Sequence, residues 1–163
     1  MFFASQVFTN IHVAISLVAI VAGLITLFGL VAGRSMPTAT GGFLFFTLLT
    51  SLTGFLFPFH GVTPAIVVGI VSCVLLVAAI AGIYVFALSG PWRWIYVVTA
   101  TMALYLNCFV LVVQAFQKIP ALHALAPKGS EPPFAIAQGL VLVAFAIAGY
   151  LGVRRFRPAP ARA

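Results

Sequence analysis

The chain has few charged side chains, and acidic ones are almost absent. Glu131 is its single carboxylate among 163 residues, and only 6% of the residues are charged, whereas soluble domains carry about 25%. A catalytic pair of carboxylates is therefore excluded. No ionisable residue is evident near the middle of an apolar segment, which argues against a proton pump or an ion carrier.

Cysteine is also scarce. Cys73 and Cys108 both lie inside apolar runs, and no CxxC or CxxCH motif occurs, which argues against a cysteine-based metal cage and covalently attached haem. No serine or cysteine stands beside a histidine with an orienting carboxylate, and no glycine-rich phosphate loop follows a strand. The sequence therefore favours a non-catalytic protein and indicates no catalytic residue.

What the chain does contain is apolar sequence. Hydrophobic residues make up 64% of it, and the mean hydropathy is +1.25, which is typical of an integral membrane protein in contact with the lipid bilayer. The net charge of +7 comes from Lys and Arg residues at the ends of apolar segments, where topology signals and contacts with anionic lipid belong. Nucleic acid is not an expected partner.

Five apolar segments are each long enough to cross a hydrocarbon layer of ~30 Å, which takes about 20 helical residues. They predict an all-α fold, a single membrane-embedded bundle of five transmembrane helices over residues 1–163. The predicted spans are 11–33, 41–59, 63–88, 92–116 and 134–153, followed by a basic tail at 154–163. In the loop at 117–133, Pro120 and the residues ALHALA predict a short interfacial helix. The second segment is the shortest, and a re-entrant passage is its alternative.

The basic residues predict the orientation. With five crossings, Lys118 and Lys128 fall on one side of the membrane, and six arginines fall on the other. These six are Arg34, Arg93, Arg154, Arg155, Arg157 and Arg162. By the positive-inside rule the N-terminus is outside and the C-terminus is cytoplasmic.

The fourth segment carries two amides in an otherwise apolar run, Asn107 and Gln114. Seven residues is nearly two helical turns, so both side chains share one helix face, which we expect to look into the bundle. Leu104, Phe109 and Val112 are then expected to point toward lipid or a flanking helix. Amides in such positions either join helices, each contributing about 0.6 and at most ~2 kcal/mol, or bind a ligand.

Polar residues gather toward the outer side of the predicted bundle. With a rise of about 1.5 Å per residue, four of them lie in the outer half or at the outer boundary, and the fifth lies in the turn after the second segment. They are Asn107, Gln114, Gln138, His12 and His60. We predict that these residues form a ligand pocket between the helices. The alternative is that outer positions are wet and simply accept polar side chains.

The three histidines, His12, His60 and His123, lie on three separate elements. Their spacing therefore does not predict a metal site. The sequence does not identify a cofactor. If the protein is a redox protein, the expected cofactor is haem b between His12 and His60, or a quinone at the same place.

Three stretches resemble a group of small multi-pass proteins of bacterial inner membranes. They are TSLTGFLFPF at 50–59, GPWRWIYVVTATMALYLNCFVLVVQAFQKIPALHALAP at 90–127 and SEPPF at 130–134. The resemblance covers most of residues 40–155 and implies an inner-membrane location and a common bundle, but no activity. In size and helix count the chain is also similar to the translocator protein family, five-helix proteins that bind tetrapyrroles and sterols. It lacks that family's tryptophan- and proline-rich motifs, so the likeness is architectural.

Together these features predict a non-catalytic protein of the bacterial inner membrane. We expect either an accessory subunit of a larger membrane complex, with other membrane subunits as partners, or a binder of an amphipathic small molecule at the outer mouth of the bundle. The alternative function is a redox protein that holds haem b or quinone near the outer face.

Overall fold

The computed structural model describes residues 5–58, 61 and 63–158, and within these residues the chain is helical and contains no strand. The helices are α1 (Gln6–Val31), α2 (Pro37–Gly54), α3 (Pro64–Ile80), α4 (Trp92–Lys118), α5 (Pro120–Leu125) and α6 (Pro132–Arg155), and a π-helical turn at Ala81–Val85 continues α3. The predicted all-α fold is confirmed for this part of the chain. Each of the five predicted segments corresponds to one long helix, and α5 is the short helix predicted after Pro120.

Local signals set where the helices begin. Ser5 accepts a hydrogen bond from the Phe8 N–H at 3.2 Å, and Thr63 accepts one from the Ile66 N–H at 3.4 Å, so both residues cap their helices. Because of the cap at Ser5, α1 begins earlier than the predicted residue 11. Proline occupies the first turn of α2, α5 and α6, where its fixed φ suits a helix and its missing N–H is not needed.

Within the described residues, four helices are long and apolar enough to cross a membrane: α1, α3 with its π-helical turn, α4 and α6. Helix α2 is shorter, with 18 residues, and its buried side includes Thr40, Thr47 and Ser51. It packs against α1, α3 and α4. Hydroxyl side chains are accepted on such a face because helices, and not lipid, surround it.

The five long helices form a ring. Contacts join α1 to α2, α2 to α3, α3 to α4, α4 to α6 and α6 to α1, and α1 also contacts α4 across the ring. Neighbours along the chain run in opposite directions. For example, His12 near the start of α1 lies beside Thr53 near the end of α2.

Arginines gather at one end of this ring. Arg93 Nη1 donates to the carbonyl oxygens of Val153 and Phe156, both at 2.8 Å, and Arg155 Nη1 donates to the Val31 carbonyl oxygen at 3.5 Å. These bonds join the end of α1, the start of α4 and the end of α6. We call this the arginine end; its described basic residues are Arg34, Arg93, Arg154, Arg155 and Arg157. Arg162 lies outside the described residues.

The opposite end of the ring carries Lys118, at the end of α4, and Lys128, in the loop before α6. We call it the lysine end. The unequal distribution of basic residues predicted from the sequence is therefore present in the fold.

The middle of the bundle is closed by three residues that we call the central layer: Gly23 of α1, Phe43 of α2 and Leu104 of α4. A Cβ atom added at Gly23 would overlap Leu104 Cδ1 and would lie 2.8 Å from Phe43 Cδ2. Phe43 and Leu104 are themselves fully buried. Leu104 thus fills the space that a glycine leaves on α1 and packs against neighbouring helices, the second of its two expected surroundings, and not against lipid.

Replacement of Gly23 tests this packing. Gly23→Ala should lower the free energy of unfolding by about 1–3 kcal/mol, the usual cost of overpacking, because the buried side chains of Leu104 and Phe43 must shift to admit the added methyl group. Gly139→Ala is the matched control, since Gly139 lies in α6 with no atom within 4 Å of the added Cβ position. This control should be neutral or slightly stabilising. The measurement is unfolding in mixed micelles followed by circular dichroism, and equal stability of the two variants would contradict a closed central layer.

Candidate functional site

A cavity of about 590 Å³ lies between α1, α2, α3 and α4 on the lysine side of the central layer. On α4 it is lined from Asn107 to Lys118, and on α1 from Thr9 to Ile20. At the helical rise of 1.5 Å per residue, the cavity is therefore about 16 Å long. It begins one turn from Leu104 and reaches the lysine end. Its size is that of a small-molecule pocket, about 300–1,000 Å³.

Most of the cavity wall is apolar, and part of it is open. Val13 and Leu17 of α1 and Leu111 of α4 line the cavity, yet they are 41%, 45% and 40% exposed. The cavity is therefore open at the side where these residues of α1 and α4 lie. We call this gap the side opening.

His12 lines the cavity from α1. Its Nδ1 lies 2.8 Å from Thr53 Oγ1, and that hydroxyl donates to the Leu49 carbonyl oxygen at 2.7 Å. Because the single hydroxyl hydrogen is used in this way, Thr53 accepts from His12 Nδ1–H. In the neutral imidazole, Nε2 is then the ring nitrogen with a lone pair. The Phe57 ring packs edge-on against the imidazole at 5.1 Å.

Asn107 lies at the deep end of the cavity. Its Nδ2 donates to Thr47 Oγ1 at 3.1 Å, and Thr47 is fully buried in α2. The amide therefore joins α2 to α4, and it also lines the cavity. Gln114 lines the same cavity two turns nearer the lysine end and is exposed. The shared face predicted for these two amides is thus present.

Two serines near the deep end have no partner. Ser51 of α2 and Ser72 of α3 line the cavity and are 7% and 3% exposed, and neither side-chain hydroxyl makes a hydrogen bond within the described part of the chain. Other helical hydroxyls, such as that of Thr26, donate to the carbonyl of the preceding turn. Thr50 Oγ1, also at the cavity, is buried without a partner. These hydroxyls are free to bind whatever fills the space.

The structure brings three of the five predicted site residues together: His12, Asn107 and Gln114. Gln138 does not line the cavity, because its Nε2 donates to the Phe109 carbonyl oxygen at 3.1 Å, where α6 packs against α4. His60 lies outside the described residues.

Lys118 is the one charged side chain among the described residues that line the cavity. The sole carboxylate of the chain, Glu131, is used elsewhere. It accepts hydrogen bonds from the backbone N–H groups of Lys128 and Ser130, both at 3.0 Å. These bonds hold the pKa of Glu131 below its ordinary value, and the bond from the Lys128 N–H has the largest effect. The mouth of the cavity is therefore positively charged.

The sequence prediction did not include Ser51, Ser72 or Lys118 in the site. Serine is one of the small residues that pack membrane helices together, and the sequence does not distinguish an unpaired serine from a packing one. In the sequence, Lys118 contributed only to the prediction of the membrane orientation. Among the described residues, no group of three or more histidine, cysteine or acidic side chains is placed to hold a metal ion.

The hydrogen bond between Asn107 and Thr47 should be measurable as a coupling energy. In a double-mutant cycle, Asn107→Leu and Thr47→Val should show a coupling of about 0.6 and at most ~2 kcal/mol, the range for interhelical bonds in membranes. Gln114→Leu with Thr47→Val is the control cycle and should show coupling near zero, because Gln114 makes no bond to Thr47. Both cycles are measured by unfolding in micelles. Zero coupling in the first cycle would contradict the bond.

Comparison of the chain with protein-family models, with curated proteins and with solved structures finds no match. The function is therefore argued from the cavity and the distribution of charge.

Proposed function

We propose that this protein is a non-catalytic integral membrane protein that binds an amphipathic small molecule in the cavity. The observation that carries the proposal is the pairing of apolar walls with two buried serines that have no partner. Small-molecule sites combine mostly apolar walls with a few polar groups that fix the orientation of the ligand. A ligand with an apolar body and a hydrogen-bonding group matches both features of this cavity.

The proposal places the protein in a bacterial inner membrane with five crossings, the arginine end in the cytoplasm and the cavity open toward the outer face. Two features of the structure support it. Helix α2 runs antiparallel to α1 between the two ends of the bundle, as a fifth crossing requires. The described arginines gather at one end, which the positive-inside rule assigns to the cytoplasm. The resemblance noted in the sequence supports the inner membrane.

Cysteine labelling tests this topology. With Cys73 and Cys108 replaced by alanine, an impermeant maleimide added to intact cells should label Pro58→Cys and Ser130→Cys but not Ser35→Cys. All three natural residues are exposed. Pro58 and Ser35 flank α2, so equal labelling of these two would show that α2 does not cross. A reversed pattern would overturn the orientation.

Ligand binding is tested by purification from native membranes in mild detergent, followed by solvent extraction and mass spectrometry. We expect an amphipathic molecule at about one per protein in the wild type. Ala115→Phe should lose it, because Ala115 lines the cavity and a phenyl ring would fill the space. Ala144→Phe is the matched control on the exposed face of α6 and should retain the molecule. Equal recovery from both variants, or no molecule from the wild type, would contradict the proposal.

The same preparation distinguishes the other functions. Recovery with a fixed partner protein and no small molecule would indicate an accessory subunit. A redox protein with haem would show a Soret band that is lost in His12→Ala, since His12 Nε2 has no hydrogen-bond partner in the described residues. A quinone would appear in the solvent extract.

A further inference from the structure

The charged group of the cavity, on Lys118, lies at the mouth, whereas the unpaired hydroxyls of Ser51 and Ser72 lie deeper. This separation bears on the chemistry of the ligand. Resting on the proposed function, we infer that the ligand carries an anionic group at the mouth, beside Lys118, and a neutral hydrogen-bonding group at the deep end, beside Ser51 and Ser72. An apolar body joins the two groups and fills the space between them.

The charges of the cavity favour an anion at the mouth. Lys118 is exposed, it has no hydrogen bond within the described residues, and no carboxylate lines the cavity beside it. Glu131, the one acidic side chain, is held in its own turn by backbone N–H groups. A cationic ligand would meet only repulsion there, whereas an anion gains a partner.

The deep end favours a neutral group. Ser51 and Ser72 are more than nine-tenths buried, they belong to different helices, and both face the same cavity without a partner. An ionised group would be costly to bring so far from water. A hydroxyl or carbonyl group satisfies these serines without that cost.

The helix rise gives the distance between the two groups. Lys118 lies eleven residues beyond Asn107, about 16 Å along α4 at 1.5 Å per residue. Ser51 lies one turn beyond Thr47, the residue bonded to Asn107, and is therefore about 6 Å nearer the mouth. The anionic and neutral groups of the ligand are then about 10–16 Å apart. An alkyl chain of the ligand that extends beyond this distance can leave the cavity through the apolar side opening at Leu17 and Leu111.

A hydroxylated fatty acid has this chemistry and serves as the probe. In 12-hydroxystearate the hydroxyl group is eleven bonds from the carboxylate carbon, roughly 13 Å at ~1.2 Å of advance per bond in an extended chain. Equilibrium binding is measured on the protein in nanodiscs of zwitterionic lipid, with stearate and the methyl ester of 12-hydroxystearate as matched probes. We expect 12-hydroxystearate to bind more tightly than either.

Variants connect each group of the probe to its predicted partner. Lys118→Gln should weaken 12-hydroxystearate about fivefold, as for an accessible ion pair, and should leave the methyl ester unchanged. Lys128→Gln is the matched control and should change nothing. Ser51→Ala and Ser72→Ala should each weaken 12-hydroxystearate about threefold to tenfold and leave stearate unchanged. Unfolding measurements confirm that each variant is folded.

The outcomes separate this inference from the proposed function. If the three probes bind equally, or if none of them binds while a native amphiphile is still recovered from the wild type and lost in Ala115→Phe, the assigned ligand chemistry is wrong and the proposed function stands. The same holds if the probes bind with an affinity that does not change in the variants of Lys118, Ser51 and Ser72. If no amphiphile is recovered and no probe binds, both fail.

Discussion

The close packing of α1, α2 and α4 at Gly23 sets where the bundle is closed and where the cavity begins. In lipid, helices gain little from burying apolar surface against one another, so close packing at small residues provides much of their association. At Gly23 this packing brings Leu104 and Phe43 into the centre and closes it. Toward the lysine end, the cavity lies between α1, α2, α3 and α4. Toward the arginine end, backbone carbonyls bound by Arg93 hold α4 and α6 together.

The helices were predictable because their signals are local. Apolar length, proline in a first helical turn and a capping hydroxyl all act within a few residues. The rotation of each helix about its axis depends on its neighbours, and there the sequence was less informative. The spacing of Asn107 and Gln114 gave the correct face of α4, whereas it left open whether Leu104 faces lipid or a neighbouring helix. Its position is explained by Gly23, a residue on another helix that no pattern within α4 contains.

The candidate site was predictable in part for the same reason. His12, Asn107 and Gln114 line one cavity, and each is a polar residue that stands out against apolar surroundings. Gln138 stood out equally, but its partner is a backbone carbonyl of α4, which no side-chain pattern reveals. The free serines were hidden for the opposite reason. A serine bonded to its own helix and a serine that faces an open cavity are identical in sequence, and only the surrounding helices distinguish them.

The attachment of α6 has a mechanical consequence. Gln138 binds α4, and Phe134 packs against Phe116 further along the same two helices, whereas the bond from α6 to α1 lies at the arginine end. Helices α4 and α6 therefore form one pair on the lysine side, and α1 and α2, joined by His12 and Thr53, form another. A small rotation of one pair against the other at the arginine end would alter the width of the side opening. The bundle thus has the geometry of a pair of tweezers, joined at the arginine end and open toward the lysine end.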